Sequence, residues 1–522
     1  MLIMAMKPGH DGSVALLEND RLVLSLEAEK DSVQRNSGLL PATMMAAAEH
    51  AGKLPDVVAL GGWYHAEWNY GVGYDGFHAP VTRGMSFYGK QVEFFSSSHE
   101  RSHIMSAIGM APREDHDAQI VLVWEGLSGG FHLLDRDFQA VKAVPVLRQP
   151  GARYAFLYGL ADPTFPDTRR MPDNSHSGKL MALAAYGSPR DATAEIKATV
   201  ERILAERTFY YPCPKANYRD TPLYNAGVES VECKTAAALL TERIFEIFAE
   251  AAQRDLPAGL PLRISGGCGL NCDWNSAWQN LGHFSSVFVP PVPNDSGSAI
   301  GTAIDALHAR TGDPHIDWSV YAGLEFVWDT KPEPERWTER KADLGELAGV
   351  LADGEVVAWV QGRWEIGPRA LGHRSLLAEP FSAATRDRLN EIKQREPYRP
   401  IAPVCRAEDA ADAFTESFED PYMLYFRTVR NPALAAVTHV DGSARAQTVS
   451  RAQNALLYDL LTAFAARRGT GVLCNTSLNF KGRGFINRMS DLARYCEQRG
   501  VRHMVVGEMW FSAREPQSNQ GR

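Results

Sequence analysis

Apolar residues along this chain come in two rhythms. Short apolar runs closed by turn residues predict strands over residues 2–6, 12–17 and 21–26, with turns at 7–11 and 19–20. Residues 41–52 instead place apolar positions at helical spacing and stop at Gly52, after which 57–60 reads as a short buried strand. A helix-compatible stretch runs from His99 to Met110. Residues 120–124 and 131–134 are strands around a glycine hairpin that carries Glu125. A strong amphipathic helix over 233–253 leads into a strand at 261–265. From about 311 to 343 the pattern lapses into Pro, Trp and charged residues, as expected of an interdomain connection. A second domain then opens with a helix at 344–351 and a strand at 356–360, and a late strand at 471–473 belongs to it.

Length supports this division, because 522 residues exceed what one core serves and roughly 150 residues per domain implies two to four domains. Acidic residues outnumber basic ones, 63 to 54, which argues against RNA or DNA as the main partner while leaving room for local basic pockets. The apolar start of the chain runs straight into Pro8 and Gly9, leaving no room for a secretory core, and no uncharged run is long enough to span a bilayer. The seven cysteines lack paired C-x-x-C spacing, and Cys268 and Cys272 have no second pair to complete a zinc site. A cytoplasmic protein with reduced thiols is expected.

Several stretches carry candidate chemistry. In 367–375, Gly367 and Gly372 can bring the backbone close to a ligand, and Arg369 and Arg374 can each grip a phosphate or carboxylate with two prongs; two surface arginines in an ordinary turn is the plain alternative. His10, Asp11 and Ser13 sit at the tip of the first hairpin, where Asp11 either meets a ligand or merely closes the turn. Residues 61–80 form an aromatic, histidine-rich loop that is either a packed surface loop or one suited to an organic ligand. His99 and His103 share a face if their stretch is helical, and they also fit the zinc-protease pattern H-E-x-x-H with Glu100 as base. Lys179 stands near the start of a small-residue helix, where phosphate can be held.

Two glycine turns follow apolar strands: one with Gly266, Gly267 and Asn271, the other with Asp295 and Gly297. Free backbone N–H groups there suit a phosphate, and the pair points to an actin-like or sugar-kinase-like nucleotide site. With His99 and His103, Asp295 would make a metal triad with open positions. Lys393, Arg399, Arg445, Ser477 and Asn479, added to the arginines of 367–375, suggest a polyanion pocket in the second domain.

Taken together, these motifs resemble the O-carbamoyltransferases grouped with nodulation protein U and the cephamycin carbamoyltransferase, over nearly the whole chain and with a start like that of the cephem-type branch. The resemblance implies an α/β protein with an actin-like ATPase domain over 1–325 and a YrdC-like domain over 340–522. It implies that the second domain joins carbamoyl phosphate and ATP into carbamoyl adenylate, and that the first transfers the carbamoyl group to a substrate hydroxyl. On this carry-over Arg369, Lys393, Arg399, Arg445 and Ser477 bind the reactants of the first step, with Mg2+. His99, His103 and Asp295 hold an iron-type divalent ion, and His10 lies beside the carbamoyl group, with His10 or Asp11 taking the hydroxyl proton. Where many members have Asp-Gly after the middle strand this chain has Glu125-Gly126, which leaves the role of that acid open. The expected partners are a small hydroxylated molecule and, at most, a second copy of the chain. The rival readings are a tRNA threonylcarbamoylation enzyme and a non-catalytic nucleotide-binding regulator on the same folds.

Overall fold

The computed structural model describes residues 1–61, 81–114, 116–126, 128–168, 174–207, 214–416 and 418–514. Apart from Gly61, the aromatic loop expected at 61–80 lies outside them. The chain divides into two compact units. Unit one contains Met1–Glu27, Gly38–Trp318 and Leu424–Phe426; unit two contains Ala28–Ser37, Ser319–Met423 and Arg427–Arg522.

Unit one repeats one plan in two sheets. In the first, β1 (Leu2–Lys7), β2 (Ser13–Glu18) and β3 (Arg21–Glu27) form an antiparallel meander. Helix α1 (Pro41–Ala51) leads to β4 (Val57–Leu60), parallel to β1, and the hairpin of β5 (Val81–Phe87) and β6 (Lys90–Ser96) completes the order β3-β2-β1-β4-β6-β5. Helix α2 (His99–Gly109) follows. In the second sheet β7 (Ala118–Trp124), β8 (Gly129–Asp135) and β9 (Ala140–Pro145) form another meander. Helices α3 (Pro150–Ala161), α4 (Asn174–Ala184), α5 (Ala194–Ala205) and α6 (Val231–Asp255) intervene before β10 (Leu262–Ser265) pairs parallel to β7. After α7 (Cys272–Asn280), β11 (Val287–Phe288) adds parallel to β10, giving β11-β10-β7-β8-β9, and α8 (Ser298–Thr311) ends the unit's main run.

The two histidines owe their placement to how α2 is held. Ser98 caps the helix by accepting from the Arg101 N–H, and Glu100 in the first turn complements the positive end of the helix. The helix packs on α8 so closely that a Cβ on Gly301 would lie 1.8 Å from the Ser102 carbonyl oxygen. Ser102 Oγ and Thr302 Oγ1 meet at 2.9 Å, and Arg101 grips buried Asp305 with two bonds of 3.1 and 2.6 Å. Lys179, expected near a helix start, lies in the body of α4, because that helix already begins at Asn174.

Unit two is one eight-stranded mixed sheet. Its strands are β12 (Trp337–Lys341), β13 (Val357–Val360), β14 (Arg374–Ala378), β15 (Ala402–Arg406), β18 (Gln447–Val449), β19 (Val472–Ser477), β20 (His503–Val506) and β21 (Met509–Ala513), in the order β12-β21-β20-β13-β14-β19-β15-β18. The short β16 (Arg427–Thr428) and β17 (Ser443–Ala444) pair apart from it. Its helices are α9 (Leu344–Ala352), α10 (Ala383–Ile392), α11 (Ala410–Ala413), α12 (Ala455–Arg468) and α13 (Met489–Arg499). Val357 and Trp359 join Leu347 of α9 and Leu457 and Phe464 of α12 in one core; Ala358 and Val360 join Leu389 of α10 and Leu492 of α13 in the other. Burial on both faces is why β13 reads as an unbroken apolar run.

The lapse in pattern over 311–343 is not a free connector. Helix α8 occupies it to Thr311, and residues from Ser319 on belong to unit two. Strand β12 looks polar because only Trp337 of its five residues is buried, and the strand lies at the edge of the sheet. Among the described residues no helix is long and apolar enough to cross a membrane.

Because main chain, not a flexible side chain, opposes a Cβ at Gly301, Gly301→Ala is expected to cost about 1–3 kcal/mol of stability. Thermal denaturation should show the lowered midpoint; an unchanged one would mean that α2 and α8 part without cost.

Candidate functional site

In unit one the ends of four separate segments converge. Helix α2 supplies His99 and His103, one turn apart, with ring centroids 4.7 Å from each other. Glu125 follows β7, and Asp295 stands in the turn before α8. Glu125 Oε2 lies 2.9 Å from His99 Nε2 and 3.5 Å from His103 Nε2; Asp295 Oδ1 lies 3.8 and 3.4 Å from the same two nitrogens. All four residues are buried, and one ligand atom from each fits within 4.8 Å of the others.

Around this set the first hairpin adds His10, Asp11 and Lys7. Asp11 Oδ2 is 3.0 Å from His10 Nδ1, while His10 Nε2 and Lys7 Nζ stand 3.5 and 3.4 Å from Asp295 Oδ2. Asp11 adopts a left-handed backbone (φ 53°), which aspartate tolerates in tight turns.

The donor set fits a divalent ion. Ser265 Oγ donates to the Pro293 carbonyl at 3.2 Å and therefore accepts from His103 Nδ1–H at 3.0 Å, so Nε2, which faces the carboxylates, is the nitrogen that would exchange its proton for a metal. That buried Nε2 has no hydrogen-bond partner among the described residues, although two carboxylates face it. Burial pulls the His103 imidazole down, but Asp295 and Glu125 outweigh it and hold its pKa at about 9. His99 is likewise raised by Glu125 and Asp295 against its burial. Burial pushes Glu125 up, but the charge and hydrogen bond of His99 and the nearness of His103 bring it well below the carboxylate range; Lys7 and His99 do the same for Asp295. A field that holds protons this strongly suits a metal cation equally. Glu100, the base of a zinc-protease reading, points instead to His132 at 3.3 Å, so that reading is corrected.

The two glycine turns have structural reasons of their own. A Cβ on Gly266 (φ 97°) would meet the Trp124 carbonyl oxygen at 2.2 Å, and one on Gly297 would meet that of Val292 at 2.1 Å. Gly267 is exposed with open space beside it, so its backbone can still approach a ligand. Asn271 caps α7, accepting from the Asp273 N–H at 3.0 Å. Lys179 stands 5.4 Å over the Tyr158 ring, a packing contact rather than a helix-terminal anion grip.

Unit two gathers cations. Lys393, buried at the end of α10, aims Nζ at Ser477 Oγ (3.1 Å), the Ser477 carbonyl and Asn479 Oδ1. Those acceptors favour the ammonium, but burial, with the charges of Arg395, Arg35, Arg399 and Arg499, prevails and draws Lys393 well below the lysine range. Arg399 is lowered by burial and by Arg35 and Arg445, and Arg395 falls to about 9 through burial and through Arg399 and Arg445. The Nε atoms of Arg445 and Arg499 are buried without a hydrogen-bond partner among the described residues. Like charges crowded and desolvated in this way mark a place for an anion.

The turn at 367–375 is different from its expectation. Buried Glu365 Oε1 accepts from the N–H groups of Leu371, His373 and Arg374 at 2.7, 2.8 and 3.1 Å, so the chain's own carboxylate fills the nest. Fully buried Arg374 donates to the carbonyls of Gln361, Gly362 and His373 and twice to Asn487 Oδ1. It is a structural post and not a ligand arginine. Arg369, half-buried, remains on the same turn.

Comparison with known proteins now bears on these two clusters. Residues 81–304 match the family described as Carbamoyltransferase N-terminus, and 348–513 match Carbamoyltransferase C-terminus. The 3'-hydroxymethylcephem-O-carbamoyltransferase of Amycolatopsis lactamdurans is 63% identical over 99% of this chain and 100% of its own length. The chain belongs to the carbamoyltransferase family. The enzyme of the same name from Streptomyces clavuligerus is 61% identical over 98% of this chain and 99% of its own. Nodulation protein U of Sinorhizobium fredii (strain NBRC 101917 / NGR234) is 33% identical over 98% and 99%.

Of the residues named from sequence, this carbamoyltransferase brings His10, Asp11, His99, His103 and Asp295 together in unit one, and Lys393, Arg399, Arg445, Ser477 and Asn479 in unit two. Sequence reasoning missed Lys7, Arg35 and Arg499, counted Arg395 only among the cations of 393–400, and left Glu125 undecided. A lysine closing an otherwise apolar strand was a usable signal for Lys7; nothing local marks Arg35, which reaches the pocket from the segment Ala28–Ser37.

Glu365→Gln keeps the shape and removes the charge from the nest, so it is expected to destabilise the carbamoyltransferase by about 1–3 kcal/mol with phosphate affinity unchanged. Thermal denaturation and phosphate titration check both; a loss of phosphate binding without loss of stability would return the turn to the anion site.

Proposed function

We propose that this carbamoyltransferase is ATP-dependent and divides its reaction between the two clusters. In unit two, read as YrdC-like, carbamoyl phosphate, ATP and water give carbamoyl adenylate, phosphate and pyrophosphate. In unit one, read as actin-like, the carbamoyl group passes to a substrate hydroxyl and AMP leaves. The observation that carries the reading is the crowd of desolvated cations around Lys393: both reactants are polyanions, and Mg2+ entering with ATP would share their charge with Lys393, Arg395, Arg399 and Arg445. The repeated sheet order of unit one supports its actin-like reading.

Fe(II) or a similar ion held by His99, His103, Glu125 and Asp295 would supply Lewis acidity toward a phosphate oxygen. The chain's own groups supply the rest. Asp11 engages His10 Nδ1, so Nε2 is the nitrogen left to accept the hydroxyl proton, and the His10 side chain, 64% exposed, is open to a substrate. By analogy with the relatives' names, the acceptor is the hydroxymethyl group of a cephem. A cytoplasmic setting belongs to the same reading.

Incubation with ATP, carbamoyl phosphate and a hydroxymethylcephem should yield pyrophosphate and the carbamoylated product by mass spectrometry; no pyrophosphate with any acceptor would sink the proposal. Lys393→Met should slow pyrophosphate formation by about 10²–10³-fold, whereas His103→Ala should keep it and lose transfer. If both steps fall together in both variants, the division between clusters is wrong.

Binding of phosphate should also take up protons. The folded lysine sits below its ordinary pKa through burial and the surrounding arginines, so it holds its proton less firmly than in water; an anion offsets the positive charge around it and raises the pKa again. Calorimetry in buffers of different ionisation enthalpy measures this uptake, and proton release would contradict it.

A further inference from the structure

Asp295 turns its two carboxylate oxygens to different company. Oδ1 faces His103 Nε2 and His99 Nε2 at 3.4 and 3.8 Å, whereas Oδ2 faces Lys7 Nζ and His10 Nε2 at 3.4 and 3.5 Å. The same residue therefore belongs to two ligand-type groups: buried His99, His103, Glu125 and Asp295, and the more open His10, Asp11 and Asp295. In each, the ligand atoms lie within 4.8 Å of one another, and a carboxylate shared in this way is what a two-metal centre would use.

Lys7 stands against that outcome. Its side chain is 2% exposed, and Nζ donates to the His10 carbonyl as well as facing Asp295 Oδ2, so the ammonium is fixed from two sides. Any ion held by His10 and Asp11 through Oδ2 would have to share that oxygen with a buried positive charge. Among the described residues, the other oxygen of Asp295 faces no lysine or arginine in an ion pair and stands beside the two imidazoles.

We propose that Lys7 is a positioning residue that reserves Oδ2 of Asp295, limits the centre to one divalent ion on the His99, His103 and Glu125 side, and keeps His10 and Asp11 for substrate. This rests on the metal reading of the first group. The charge balance follows: the three carboxylates Asp11, Glu125 and Asp295 with one ammonium total two negative charges, which a single divalent ion neutralises.

The test is metal stoichiometry on the full chain, stripped of metal and titrated with Co²⁺ by calorimetry. The unsubstituted protein should take one ion, abolished by His103→Ala and retained in His10→Ala. Lys7→Gln keeps a donor for the His10 carbonyl but no charge; it should take two ions, the second lost when His10→Ala is added. Lys7→Arg should restore one. Two ions in the unsubstituted protein, with one removed by His10→Ala, would overturn the proposal, whether or not the Lys7 variants fold. So would one ion in a Lys7→Gln protein that melts cooperatively, since a lysine that merely holds the turn would not change the count. No ion in the unsubstituted protein would instead overturn the metal reading beneath it.

Discussion

Charge taken out of water without a full set of partners is the constraint around which both units are arranged. Unit one buries Glu125 and Asp295 against His99 and His103. Unit two crowds Lys393 with guanidiniums whose repulsion Glu396, beside Arg399, offsets only in part. Neither arrangement is what a fold selected for stability alone would keep, because a desolvated charge costs free energy that hydrophobic residues of the same volume would not. The opposite signs suit the proposed reaction: the acidic cluster fits a divalent cation and the basic one fits two anionic reactants.

Holding such charges in place requires rigid supports, and the supports are made of ordinary packing. The contact of α2 with α8, close enough to exclude a Cβ at Gly301, fixes both histidines against the turn that carries Asp295. The Ser265 hydroxyl settles which nitrogen of His103 carries the proton. In unit two, Arg374 and Glu365 use charged groups for the same purpose, knitting one turn from inside. Charged residues thus do two unlike jobs in this protein, and their side-chain type does not distinguish them.

That ambiguity explains what could be read from the chain. Strand and helix positions were legible wherever apolar spacing was clean, as for β1 to β4, α6 and β13. His99 and His103 were legible as a pair because four residues on a helix is a fixed distance. Family motifs made the activity legible, through relatives matched from end to end. In the turn at 367–375, Glu365 takes backbone N–H groups that were expected to face a ligand, and no local pattern separates an arginine that faces carbonyls, as Arg374 does, from one that faces a ligand. Glu125 was hard for another reason: its extra methylene relative to aspartate matters only once the distance to His99 is known.

The membership of Ala28–Ser37 in unit two has a consequence for how the chain can be made and divided. That segment pairs through Gln34 with Arg483, and its backbone bonds to Gly482, Gly484 and Phe485. It is synthesised hundreds of residues before those partners. Since Leu424–Phe426 returns to unit one in the opposite sense, no single cut yields two whole units. The two units are therefore interlaced in sequence and are not simple beads on a string.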